Sequence, residues 1–331
     1  MVLSPSELRV ELRRAGIANA AVDAVWPQWW SSEAEASLSA TAELTFTVAR
    51  RLGLAPQALL GGEARFMWRD ETKYKNLKAQ ATEEEAALSS FGSAVARVLV
   101  QGVAPSRAPR YSALELRGSI LETSATVSAE SLLISAWALG VPVVQLQLFP
   151  LQRKRMHAMS VGSGRRASIL LARDESYLAP MAFTLAHELG HVMLGHLDGG
   201  ALVDFEAPLR GPSGDDEESQ ADAYALELLT GQPRPEVVSD QENFSATQLA
   251  QVVQARGPEL GIDPGVLAMC AGHSTHKWDR AYGALKIIPP GTQNVAKGVN
   301  QLAAREIDWP AISLDGQEYL RTVMGLDRQY V

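Results

Sequence analysis

The 331-residue sequence has a single cysteine, Cys270. No internal disulfide can form, and a metal cage built from several thiolates is excluded. Any metal site here must use histidines and carboxylates. Positive charge is also short: the formal net charge is −8 and the pI is near 5.4. That balance argues against a protein that coats nucleic acid by bulk charge. Met1 to Val10 carries Glu7 and Arg9 and no apolar run, so no secretory leader is read there and the chain is expected to be cytoplasmic. The longest uncharged stretch, Ser131 to Gln152, is broken in its middle by Gly140 and Pro142. It predicts a buried helix followed by a strand rather than a membrane span. Internal repeats and low-complexity tracts are absent.

What is present is apolar content of 46% against 21% charged, enough to build a packed core. Four segments follow from the patterning. Residues 1–61 are expected to be helical and helix-turn-helix-like, with helices near Ser6–Leu12, Ala42–Leu52 and after Pro56. Residues 62–111 form a connecting segment with a helix over 82–100. Its first part interleaves Arg65, Arg69, Lys73, Lys75 and Lys78 with Phe66, Trp68 and Tyr74. Residues 112–232 mix helix and strand. Ser128 caps a helix that Gly140 ends, and Met156–Val161 and Ala167–Ala172 flank a Gly162-Ser163-Gly164 turn. A helix from Pro180 to His196, a loop over 198–214 and a helix from Asp216 to Thr230 follow. Residues 233–331 are mostly helical.

The chemistry concentrates in His187-Glu188-Leu189-Gly190-His191. On a helix, residues four apart project from one face a turn apart, so both imidazoles can share one zinc ion. Glu188 borders that face. Zinc lowers the pKa of a water, and a neighbouring carboxylate can take its proton as general base. Glu218, on the next predicted helix, is the third ligand candidate. Asp222 lies one turn later and is placed to accept a hydrogen bond from a ligand imidazole. Two histidines, one glutamate and an open position make a catalytic rather than a structural set. His196 follows His191 by five residues, one short of the metzincin spacing, and is read as a helix-end or supporting residue.

These residues carry a resemblance. Leu139-Gly140-Val141-Pro142-Val143, Ile169-Leu170-Leu171-Ala172, the block Phe183 to His191 and the block Glu218 to Leu229 resemble the ImmA/IrrE-type metallopeptidase family over roughly residues 112–232. The resemblance implies an α+β, mostly helical fold with a small gluzincin-like domain, a short three- to four-stranded sheet, and helical N- and C-terminal regions. It implies Zn2+ held by His187, His191 and Glu218, with Glu188 as base. It also implies a protein substrate, typically a helix-turn-helix repressor in stress, phage or mobile-element control. Val48 to Ala55 resembles the helix-turn-helix module often joined to this family. Residues 1–110 hold thirteen Lys and Arg against twelve Asp and Glu, weak charge for direct DNA binding.

A peptidase also needs a donor for the developing oxyanion; Tyr224, Tyr177, His157 and His196 are the candidates. Met156–Val161 or Ala167–Ala172 is expected to pair with an extended substrate chain. The rival classes are a non-catalytic zinc-containing transcriptional regulator and an antitoxin-like binding module. Glu188 separates them, since a structural site needs no general base.

Overall fold

Serine caps set many of the helix starts. Ser4 with Glu7, Ser112 with Glu115, Ser128 with Ser131 and Ser245 with Gln248 each close a reciprocal capping box. In the computed structural model, residues 3–67, 83–104, 110–151, 156–164, 166–197, 201–204, 216–235 and 243–326 are described. The first five helices are α1 (Pro5–Arg14), α2 (Asn19–Ala24), α3 (Leu38–Leu52), α4 (Pro56–Leu60) and α5 (Glu83–Leu99). Next come α6 (Ala113–Leu121), α7 (Ala129–Ala138), α8 (Leu178–Leu194) and α9 (Asp216–Thr230). The last are α10 (Ala246–Leu260), α11 (Pro264–Thr275), α12 (Trp278–Ile287), α13 (Val295–Glu306) and α14 (Leu314–Met324). The strands are β1 (Val143–Gln145), β2 (Ala158–Ser163), β3 (Arg166–Leu171) and β4 (Ala201–Asp204). The fold is α+β and mostly helical, as expected. The long uncharged run divides into α7, a left-handed Gly140 and β1. Among the described residues, no helix is long and apolar enough to cross a membrane. Most of the basic-aromatic segment and most of the 198–214 loop lie outside the described residues.

The sheet runs β1-β3-β2-β4, parallel between β1 and β3 and antiparallel elsewhere. Side chains alternate between its faces, and both faces are buried. Val143, Ala158, Ile169 and Leu171 join one core with α6 to α12; Val144, Met159, Val161 and Leu170 join a second with α1, α3, α5 and α14. Helix α8 lies on the first face of β2 and β3, and α5 on the second. The N-terminal helices therefore share their core with the sheet and with the C-terminal helix α14.

This arrangement corrects two readings. Residues 201–204, expected in a loop, form the edge strand β4. The two strands expected to receive a substrate chain, β2 and β3, are interior, each hydrogen-bonded on both sides. The outer side of β1 is also engaged: the Asn300 amide accepts from Gln145 N–H (2.8 Å) and donates to its carbonyl (2.8 Å). A side chain thus satisfies the strand edge that a further strand would use.

One guanidinium joins the layers around α9. Arg117, on α6, donates to the carbonyls of Leu228 and Leu229 at the end of α9, and of Leu260 and Gly261 at the end of α10. The last carbonyls of a helix lack intrahelical donors and carry partial negative charge, so a buried cation bridging two such ends satisfies both.

Candidate metal centre

Helix α8 is apolar around most of its circumference, and its polar side chains are therefore enclosed. His187 is 3% exposed, Glu188 1% and His191 2%. A buried, unsatisfied polar group costs free energy, so each of these needs a partner. The partners arrive mainly on α9. Gly190 permits the approach: a Cβ there would stand 3.1 Å from the Ala221 carbonyl oxygen and 3.3 Å from Tyr224 Cβ. The helices touch at the glycine, and Glu218 comes over the histidine face. We expect Gly190→Val to overpack this contact and destabilise the fold by about 1–3 kcal/mol, read from the denaturation midpoint. A wild-type midpoint in that variant would contradict the close approach.

Three ligand atoms converge. His187 Nε2 lies 3.0 Å from His191 Nε2. Glu218 reaches His187 Nε2 at 3.3 Å through one oxygen and His191 Nε2 at 3.6 Å through the other. A tetrahedral zinc with bonds of about 2.0–2.1 Å sets its ligand atoms about 3.3–3.4 Å apart. The three observed separations bracket that edge length, so these residues could hold one metal ion, as a group whose ligand atoms lie within 4.8 Å of one another. The far nitrogens are already engaged. His187 Nδ1 donates to Asp222 Oδ1 at 2.8 Å, and His191 Nδ1 pairs with His196 Nδ1 at 3.0 Å. Gly195, left-handed at the α8 C-cap, turns the chain so that His196 folds back beneath His191. Both Nε2 atoms thus face the same point as Glu218.

The charges show how closely these groups interact. Burial disfavours a charged His187, but its hydrogen bonds to Asp222 and Glu218 and the Glu188 charge outweigh that and raise its pKa to about 10. Burial holds His191 below its ordinary value. Burial would raise Glu218, yet the two imidazoles hold it well below the usual carboxylate range. The cation that Glu218 faces here is the protonated His187; a metal ion bound at Nε2 would have to displace that proton, since only a neutral imidazole is a ligand. Outer partners of metal-ligating imidazoles are worth roughly 10- to 100-fold in affinity. Asp222→Ala is accordingly expected to weaken zinc binding about 10- to 100-fold in a chelator competition titration. Unchanged affinity would remove Asp222 from the site.

The remaining sequence candidates separate by geometry. Glu188 is next to the ligand face, and its carboxylate accepts a short hydrogen bond from Ser160 on β2. His196, read as a helix-end or supporting residue, contacts His191 through its Nδ1. Tyr224 is buried, which raises its pKa, and its hydroxyl donates to the Tyr111 carbonyl at 3.1 Å, so that hydroxyl already has an acceptor. Tyr177 precedes α8 and stacks edge-on against Tyr282; ten residues of helix, about 15 Å, separate it from His187. His157 pairs through Nδ1 with Thr184 at 3.4 Å and through Nε2 with Arg173 at 3.1 Å, one turn of α8 before Glu188. Cys270 is buried in α11, which pushes its thiol pKa up to about 12, and it plays no part in the cluster. Ser160, which contacts Glu188, and Gly190, which admits α9, are positions beside the cluster that the sequence did not single out. The chain matches no family model and no curated protein.

Proposed function

We propose that the protein is a zinc-dependent endopeptidase. The observation that carries this reading is the convergence of His187, His191 and Glu218 on one point with Glu188 alongside, where Asp222, His196 and Ser160 hold His187, His191 and Glu188 from behind. His187, His191 and Glu218 would hold the zinc, which would supply Lewis acidity for activating a water near neutral pH and polarising a peptide carbonyl. Glu188 then accepts the proton of the attacking water on its carboxylate and passes it to the leaving amine. Asp222 and His196 hold the ligand imidazoles in orientation. The motif blocks resemble ImmA/IrrE-type metallopeptidases, and on that resemblance the substrate is an intracellular regulatory protein of the helix-turn-helix repressor class.

The test uses the full chain. Zinc content is measured by mass spectrometry for the wild type and for Glu218→Ala, and both are incubated with a helix-turn-helix repressor and with unfolded casein. We expect near one zinc per wild-type chain, less in the variant, and cleavage that a chelator stops and added zinc restores. A zinc-loaded wild type that cuts neither protein would overturn the peptidase reading in favour of a non-catalytic zinc protein.

A further inference from the structure

We infer that Ser160 is a positioning residue for Glu188: its hydroxyl fixes the carboxylate in the orientation that proton transfer requires. This rests on the peptidase reading for its consequence, but its geometry stands apart from it. Ser160 lies on β2, opposite Ile169 of β3, on the face that α8 covers. The β2 residues on that face are Ala158, Ser160 and Gly162, all small. They let α8 approach the sheet closely enough for a glutamate side chain to meet a serine hydroxyl across the layer boundary. Both residues are enclosed, at 0% and 1% exposure.

The hydroxyl has one proton and two acceptors near it. It donates to Glu188 Oε2 in a short hydrogen bond, and it lies 3.3 Å from the Glu188 main-chain carbonyl. Oε2 is therefore anchored to β2. The neighbours on this face, Ala158, Ile169 and Leu171, are apolar and cannot replace the donor. A hydroxyl buried among them without a partner would destabilise the fold, whereas alanine would not. The serine is therefore explained by Glu188, and the glutamate keeps one orientation because of the serine. In an active site, a displacement of about 1 Å can cost about 100-fold in rate.

The experiment compares wild type, Ser160→Ala, Ser160→Thr and Ser160→Cys as full, zinc-loaded chains. Crystal structures locate the Glu188 carboxylate, metal analysis reports zinc content, and steady-state kinetics separate kcat from KM. We expect all four to hold equal zinc. In Ser160→Ala and Ser160→Cys the carboxylate leaves its wild-type position, and kcat falls about 10- to 100-fold at unchanged KM. Ser160→Thr, which keeps the hydroxyl, restores both at the cost of a lowered denaturation midpoint, because its added methyl crowds the small face beneath α8. A Glu188 carboxylate that stays in place in Ser160→Ala overturns the inference. Wild type that holds zinc without cleaving would instead overturn the peptidase reading, and the crystallographic comparison would still decide the role of Ser160.

Discussion

Glu188→Gln is expected to keep its zinc and to lose about 10²- to 10⁴-fold in cleavage rate, the range that a positioned general base contributes. Glutamine preserves the size and burial of the side chain and can still accept from Ser160 through its carbonyl oxygen. It does not change the three atoms that converge from His187, His191 and Glu218. What it removes is the basic oxygen. The loss should therefore fall on kcat, with zinc stoichiometry and denaturation midpoint close to wild type. The contrast with Asp222→Ala is diagnostic: that variant should lose affinity for zinc and recover activity when zinc is supplied in excess, whereas Glu188→Gln should not recover at any zinc concentration. Full activity in a zinc-loaded Glu188→Gln chain would refute the proposed role of the carboxylate.

The cluster proposed to bind zinc was legible because its spacing is local. His187 and His191, and likewise Glu218 and Asp222, keep the four-residue step that puts two side chains on one helix face. The helices that carry them were also readable: α9 runs from Asp216 to Thr230 as its acidic first turn and the following Gly231 indicate, while α8, expected from Pro180 to His196, spans Leu178–Leu194 and is capped by Gly195. What spacing does not encode is how two helices or a helix and a strand meet. Gly190 reads as one small residue in an apolar run, and its use becomes visible only when Ala221 stands 3.1 Å from the Cβ it lacks. Ser160 reads as an ordinary strand residue, because its partner is 28 positions away on a helix.

The sheet edge failed for a related reason. Ala201–Asp204 is a four-residue strand beside a stretch rich in glycine and acidic residues, with too few residues for alternation to register. Its pairing with β2 is long-range, and it converts the strand expected to be an edge into an interior one. A substrate chain seeking main-chain partners would find β2 and β3 already paired on both sides. The hairpin itself was expected, but its turn lies later in the chain: Gly162 and Ser163, expected in the turn, pair with Ala167 and Arg166.

The N-terminal helices pose the same problem at the largest sequence separation, and Arg51 gives the measurable consequence. It lies in the Val48–Ala55 block that resembles a helix-turn-helix module, where an arginine would be available to phosphates. Instead its side chain is 2% exposed and pairs with Asp315 at 2.7 Å and Glu318 at 3.4 Å on α14, and donates to the Val25 carbonyl at 3.1 Å. Tyr319 of α14 closes the contact by donating to the Arg51 carbonyl. Arg50, beside it, also reaches Asp315, at 3.0 Å, but its side chain is 56% exposed. The two arginines share a carboxylate and differ in burial, so they form an internal control. Removing one partner of a buried ion pair costs about 3–5 kcal/mol, and Arg51→Met is expected near the low end, about 3 kcal/mol, because both carboxylates retain some solvent access. Arg50→Met should cost about 0–1 kcal/mol, as an exposed pair does. Urea unfolding followed by circular dichroism measures both. Similar losses for the two variants would show that burial does not set the strength of this contact. An Arg51→Met chain whose N-terminal helices melt separately, ahead of the rest, would show that this one cation couples them to the sheet.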